Sequence, residues 1–273
     1  MLTVARAHTA RAKTNKSNRR REPRKKAPTD SKRTRLAPDL EFVRSTFLHD
    51  WNVEGTDATP VFHPYQLCAS ETSPKMTLEN ELRVGEKFRR MHVETGTTED
   101  GFQVLHCVIT PDPALAMPIF GCDVVRRGMT TTMAITDVSP VGSTNGDGLR
   151  QEVRHLRGKM ITHPIPRPVP EWGKAIFSPE CLCITPRTPT DMVQWIHYTL
   201  AAHRAFLRAV KSAEPASDDD RRAAVNAISR YATHQRRNEK TALVLMKHYG
   251  RDWTERYLQT MLFPDLTKNE AYY

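Results

Sequence analysis

Residues 102–110 read "FQVLHCVIT", a run in which both alternating faces are apolar. A strand places successive side chains on opposite faces, so Phe102, Val104 and Val108 share one side and Leu105, Cys107 and Ile109 the other. A strand that is apolar on both faces belongs in a sheet buried on both faces, and helices must supply the cover. Around this run, strands are expected at residues 91–96, 117–125, 131–138 and 175–185, joined by short turn signals such as "TTEDG" and "TPDP". Successive strands with short connections pair antiparallel, because parallel pairs need long crossovers. A helix is expected at residues 76–90, "MTLENELRVGEKFRR". Further helices are expected from Asp191 as cap to about Lys211, from Asp219 in "SDDDRR", through "NEKTALVLMKHYG" to Gly250 and over "DWTERYLQTML". The expected fold class is α/β: a three-layer α/β/α sandwich with a central antiparallel sheet.

Charge divides the chain. The 273 residues carry a formal net charge of +10, but residues 1–38 hold thirteen Lys or Arg and two acids, and the rest sums to −1. A bulk-charge groove for phosphates is not implied for residues 39–273, which are expected to form a single domain, and no nucleic acid is expected as a partner. The basic segment lacks aromatic residues and aliphatic clusters, so disorder is expected. Being Arg-rich and acid-poor, it reads as a transit peptide, which would place the protein in the chloroplast stroma; without that function the location would be cytoplasmic. No apolar run approaches the roughly 18 residues of a membrane span, so no membrane association is expected. Five cysteines, at positions 68, 107, 122, 181 and 183, form no CxxC pair and match no zinc spacing; free thiols and no metal site are expected.

Titratable residues interrupt the apolar strands. In "MPIFGCDVV" (117–125), Asp123 shares a face with Ile119 and Gly121, a setting that desolvates a carboxylate and suits it to proton delivery. His106 lies among Val104, Leu105, Cys107 and Val108, and His92 and Glu94 in "RMHVETG" (90–96) have the same parity. Each has a plainer reading: a hydrogen-bonded core histidine, or a glutamate exposed at a strand end. A buried unpaired carboxylate is harder to explain that way, because it needs a partner or a purpose. Together the group points to proton chemistry without naming a substrate.

The blocks "VLHCVITPDP", "MPIFGCDVV", "TDVSPV", "PEWGKAIFSP", "RNEKTALVL" and "YGRDWTERYLQTMLF" occur in this order between about residues 76 and 264. Here the chain resembles the ferredoxin-dependent bilin reductases. The resemblance implies a biliverdin substrate held between the sheet and the C-terminal helices, and reduced ferredoxin as partner and electron donor. It also implies no bound metal or flavin, bilin radicals as intermediates, and a monomer. It implies that Asp123 protonates the bilin, that His106 positions and relays the proton with it, and that Glu94 donates to the D-ring vinyl group. The Glu94 and His106 pair is the mark of the phycocyanobilin-forming branch. The substrate-binding positions it implies are His92, Thr132 (where the family often has Ser), Arg167, Trp172, Asn238 and Lys240. An arginine fork suits a propionate carboxylate.

The chain departs from the family pattern around the pocket rim: one residue more in "WGKAIFS", an extra proline in "RPVPEWG" and Thr at 132. These leave open a phycoerythrobilin-forming relative, and a non-catalytic bilin carrier is the alternative of a different class. Arg236, Arg237, Lys240 and Lys247 are the basic residues expected to meet an acidic ferredoxin.

Overall fold

The computed structural model describes residues 35–54, 58–160 and 165–267. The expectations for the basic segment fall outside these residues except at its last four. Of those, Leu36 and Ala37 pack against the core, and Pro38 opens helix α1 (Pro38–Val53). Two short strands follow, β1 (Thr59–Pro60) and β2 (Leu67–Ala69), then the body of the sheet. It comprises β3 (Met76–Val84), β4 (Phe88–Thr98), β5 (Phe102–Pro111), β6 (Ile119–Arg127) and β7 (Thr130–Ser139). Helix α2 (Asp147–Gly158), the two-residue β8 (Ile165–Pro166) and β9 (Leu182–Thr185) lead to four helices: α3 (Pro189–Ser212), α4 (Asp218–Gln235), α5 (Glu239–Tyr249) and α6 (Arg251–Tyr257). A π turn, Leu258–Leu262, ends the last.

The sheet has nine strands in the order β1-β3-β4-β5-β6-β7-β9-β8, with β2 also paired to β3, and every pairing is antiparallel. From β3 to β7 it is the expected meander. The two-faced apolar pattern of 102–110 has its expected cover. One face packs Met91, Leu105, Cys107, Ile109, Phe120 and Val124 against α1, α2 and α3. The other places Met76, Leu78 and Leu82 against α5, α6 and the π turn, and Val108 and Ile119 against α4. The fold is the α/β/α sandwich read from the sequence.

Several boundaries differ. The helix expected at 76–90 is strand β3 and the start of β4: Met76, Leu78, Asn80 and Leu82 alternate inward, a period of two that outweighs the helix-forming Glu, Leu and Arg content. The strand expected at 175–185 shrinks to β9, because the Ser178 amide donates to the Asp137 carboxylate instead of a ladder and Pro179 has no N–H. Helix α3 begins earlier than expected, with Thr188 as its cap; Asp191 is the third helical residue, and its carboxylate accepts from the Thr188 amide. Helix α4 is capped by Ser217 with Asp218, Asp219 and Asp220 in its first turn, and α5 ends at Gly250 with φ +81°. Helices α1 and α2 were not anticipated.

Candidate active site

Register places the site. Glu94 on β4 pairs with His106 on β5, and His106 pairs with Asp123 on β6, so the three stand side by side in one row across the sheet. Asn80 on β3 extends the row past Glu94. Directly paired residues share a face, and this row faces α4, α5 and α6. One step along lie His92, Val108, Gly121 and Asp137, again paired in order. Three expected acid-base residues and His92 are therefore brought together by strand pairing alone.

The His106 Nδ1 lies 2.5 Å from Asp123 Oδ1. Burial alone would disfavour the imidazolium, but the Asp123 carboxylate at this distance, with Glu94 on the other side, outweighs it and raises the His106 pKa above the ordinary histidine value. His106 thus donates through Nδ1–H, while its buried Nε2 has no protein partner among the described residues. Phe263 from the C-terminal cover stands edge-on to the His106 ring, centroids 5.5 Å apart. Asp123 is the least buried member, with 26% of its side chain exposed.

Glu94 is buried in mid-strand, contrary to the plainer reading of an exposed strand end. Burial pushes its carboxyl above the ordinary carboxylate range, against the pull of the His106 ring and of the Tyr257 hydroxyl that hydrogen-bonds it. His92, fully buried, is pushed the other way: burial and the nearby Arg90 and His106 hold its pKa well below the ordinary value. Its Nε2 is 2.8 Å from Asn80 Oδ1. The row thus sets a carboxyl that burial inclines toward keeping its proton beside an imidazole that its carboxylate neighbours incline toward gaining one, two acid-base groups on neighbouring strands about 4.8 Å apart.

The remaining expected residues fall elsewhere. Arg167 donates from Nη1 to the Thr132 carbonyl oxygen at 2.7 Å, so these two meet at the β7 edge, where the Arg167 amide also bonds the Cys183 carbonyl. Thr132 uses its hydroxyl on the Val125 carbonyl, 3.1 Å away. Trp172, half-buried, packs edge-on to Phe177, and its carbonyl accepts from His234 of α4. Asn238 caps α5 through Thr241, and Lys240 is exposed on its first turn. Neither reaches the acid-base row in this arrangement.

Sequence reading missed Asn80, Tyr257 and Asp137. Asn80 lay in the segment taken for a helix. Tyr257 fell in a quoted block but carried no signal of its own. It is pinned by a stack, Tyr249 on Trp253 at 4.1 Å and Trp253 on Tyr257 at 4.6 Å, with Tyr65 edge-on to both Trp253 and Tyr257. Asp137, buried, accepts from the hydroxyls of Ser139 and Ser178, both at 2.5 Å, and from the Ser178 amide. It ties the segment bearing Trp172 to the sheet. Among the described residues no group of three or more His, Cys, Asp or Glu is placed to hold a metal ion, and no helix is long and apolar enough to cross a membrane.

Residues 46–264 match the family model of the ferredoxin-dependent bilin reductases. The phycocyanobilin:ferredoxin oxidoreductase of Prochlorococcus marinus (strain MIT 9313) is 34% identical over 202 residues, 70% of this chain and 72% of that relative. The protein of the same name from Trichodesmium erythraeum (strain IMS101) is 31% identical over 191 residues, 69% of this chain and 77% of that relative. In three dimensions the chain is similar to phytochromobilin synthase from tomato, solved in complex with biliverdin: TM-score 0.69 at 17% identity, over 85% of this chain and 86% of that one.

Proposed function

This chain belongs to the ferredoxin-dependent bilin reductases, and we propose that within that family it reduces biliverdin to phycocyanobilin. It is an oxidoreductase that takes its electrons from ferredoxin. The observation that carries the finer reading is the row Glu94, His106 and Asp123 on one face of three adjacent strands. Two curated relatives bear the name phycocyanobilin:ferredoxin oxidoreductase, and the fold neighbour was solved with biliverdin, which supports this reading.

Electrons from ferredoxin arrive singly, so the bilin passes through radicals and each reduced position also needs a proton. Asp123 and His106 act as one unit: the imidazolium, held through Nδ1, presents Nε2–H to the substrate while the carboxylate keeps the ring oriented and charged. Glu94, whose burial raises its hold on a proton, supplies it to the D-ring vinyl group, and the A-ring system follows. His92 stays neutral and positions the substrate. Arg167, with Thr132, meets a propionate, and Trp172, Asn238 and Lys240 line the rim. No metal or flavin is assigned a part. The basic N-terminal segment supports delivery to a plastid stroma, which a fluorescent fusion of residues 1–38 would test.

The deciding experiment is anaerobic incubation of the purified protein with biliverdin, ferredoxin and a ferredoxin reductase, with the bilins separated by chromatography. Phycocyanobilin is the expected product. Phycoerythrobilin as the main product would move the protein to a neighbouring branch, and bound but unreduced biliverdin would make it a carrier.

A further inference from the structure

Asn80, Tyr257, Glu94 and His92 form a closed, buried hydrogen-bonded group whose hydrogens can be counted. The Asn80 Nδ2 donates to the Tyr65 carbonyl at 2.7 Å, which fixes the orientation of the amide. Its Oδ1 therefore faces both His92 Nε2, 2.8 Å away, and Tyr257 Oη, 3.0 Å away, and accepts from each. Tyr257 Oη also touches Glu94 Oε2. Three oxygens, Oδ1, Oη and Oε2, are thus joined by two contacts, and two contacts need two hydrogens. Tyrosine brings one, which can serve only one contact fully at a time; a protonated Glu94 supplies the other. All four side chains are buried.

We propose that Tyr257 is a two-position donor that holds Glu94 as the neutral acid and then stabilises its carboxylate once the proton has passed to the substrate. This rests on the reading of Glu94 as a proton donor in bilin reduction. At rest, Glu94 O–H donates to Tyr257 Oη and Tyr257 O–H donates to Asn80 Oδ1. When the bilin, already holding an electron from reduced ferredoxin, takes the proton, the Glu94 O–H bond breaks and a bilin C–H bond forms. The negative charge brought by the electron is left on the carboxylate. The tyrosine hydrogen then turns about Cζ–Oη from Asn80 to Glu94 Oε2, a charge-assisted bond that did not exist before transfer. Tyr257 stays neutral throughout and is a positioning residue. Asn80 is the alternative acceptor that makes the turn reversible.

The charged or titratable groups around Glu94 are Arg90, His92, His106, Asp123, Tyr257, Cys68 and Tyr249, so the test must separate Tyr257 from the rest. In ligand-free full-length protein at neutral pH, infrared difference spectra should show a carboxylic C=O band that Glu94→Gln removes and Tyr257→Phe shifts. This readout uses no substrate and stands whatever bilin the product assay returns. In turnover with biliverdin and reduced ferredoxin, Tyr257→Phe should slow the reduction roughly tenfold, as for one lost bond to a charge, without weakening biliverdin binding. Its alkaline limb should move to higher pH, because the carboxylate has lost its donor. Asn80→Leu leaves Glu94 as the only acceptor for Tyr257 and should move the same limb to lower pH. Opposite shifts are not expected from a packing role. Absence of a Glu94 carboxylic band, or limbs that stay in place or move together in the two variants, would overturn the proposal.

Discussion

Asp123 and Glu94 are both carboxyl groups on one sheet face, yet their surroundings set different tasks. Asp123 is partly exposed and hydrogen-bonded to the His106 ring; Glu94 is buried with a hydroxyl for company. Asp123→Asn is expected to bind biliverdin and to stall before finished product, because the His106 ring loses the charge that keeps it protonated. Absorbance of the stalled bilin under anaerobic turnover checks this, and full activity in the variant would refute the role of the pair. The three acids and bases were legible in the sequence because each interrupts an apolar strand, where an ionisable group is costly. Asn80 and Tyr257 were not, since a polar residue facing a neighbouring element shows no such interruption. Nor could sequence tell that Asn238 spends its side chain on a helix cap.

At the scale of the element, parity and register did the work of placement. Strands β5 and β6 were readable from their own alternation, and their pairing then fixed which residues meet. Strand β3 was misread because its Glu, Leu and Arg residues favour a helix in isolation, and only the row of inward Met76, Leu78, Asn80 and Leu82 reveals the sheet. Gly96 shows how tightly that part of the sheet is filled. A Cβ there would lie 2.7 Å from Val104 Cγ1 and 2.9 Å from Leu78 Cδ2. Gly96→Ala is therefore expected to destabilise the fold by about 1–3 kcal/mol, measured by urea unfolding. A loss below about 0.5 kcal/mol would show that these side chains yield freely.

For the whole molecule, the face away from the site carries its own buried histidine. His203 accepts from Trp51 Nε1–H at 3.0 Å, its Nδ1 lies 3.4 Å from Asp50, and Arg204 clamps that carboxylate. Burial holds its pKa below the ordinary value, Asp50 only partly offsetting it. The unfolded chain therefore gains a proton at higher pH than the folded one. The stabilisation is present above the unfolded pKa of about 6.5 and is lost as pH falls through the folded value. Melting temperature should drop on acidification from about pH 7 to about pH 5, and drop less in His203→Gln. His92 contributes in the same direction, so the slope should shrink without vanishing.

Recognition of an acidic ferredoxin also belongs to this scale. Arg237, Lys240 and Lys247 are exposed around α5, whereas Arg236 is committed to the Phe263 carbonyl. Added salt should slow the ferredoxin-driven rate through encounter while leaving reduction by a small neutral donor unchanged. A rate indifferent to salt would rule out charge steering.

The meander has one more effect, on the order in which the protein comes into being. The acid-base row is complete once residue 123 is made, but the helices that cover it begin only at α4, residue 218. About a hundred residues separate them, which at ribosomal speeds of about 5–20 residues per second is roughly 5–20 s. Through that interval the nascent sheet presents Met76, Leu78 and Val108 without their helical cover, a hydrophobic surface with strand edges beside it. Truncations that end before α4 should bind holdase chaperones strongly, and the acid-base row can be enclosed only once α4 to α6 have formed.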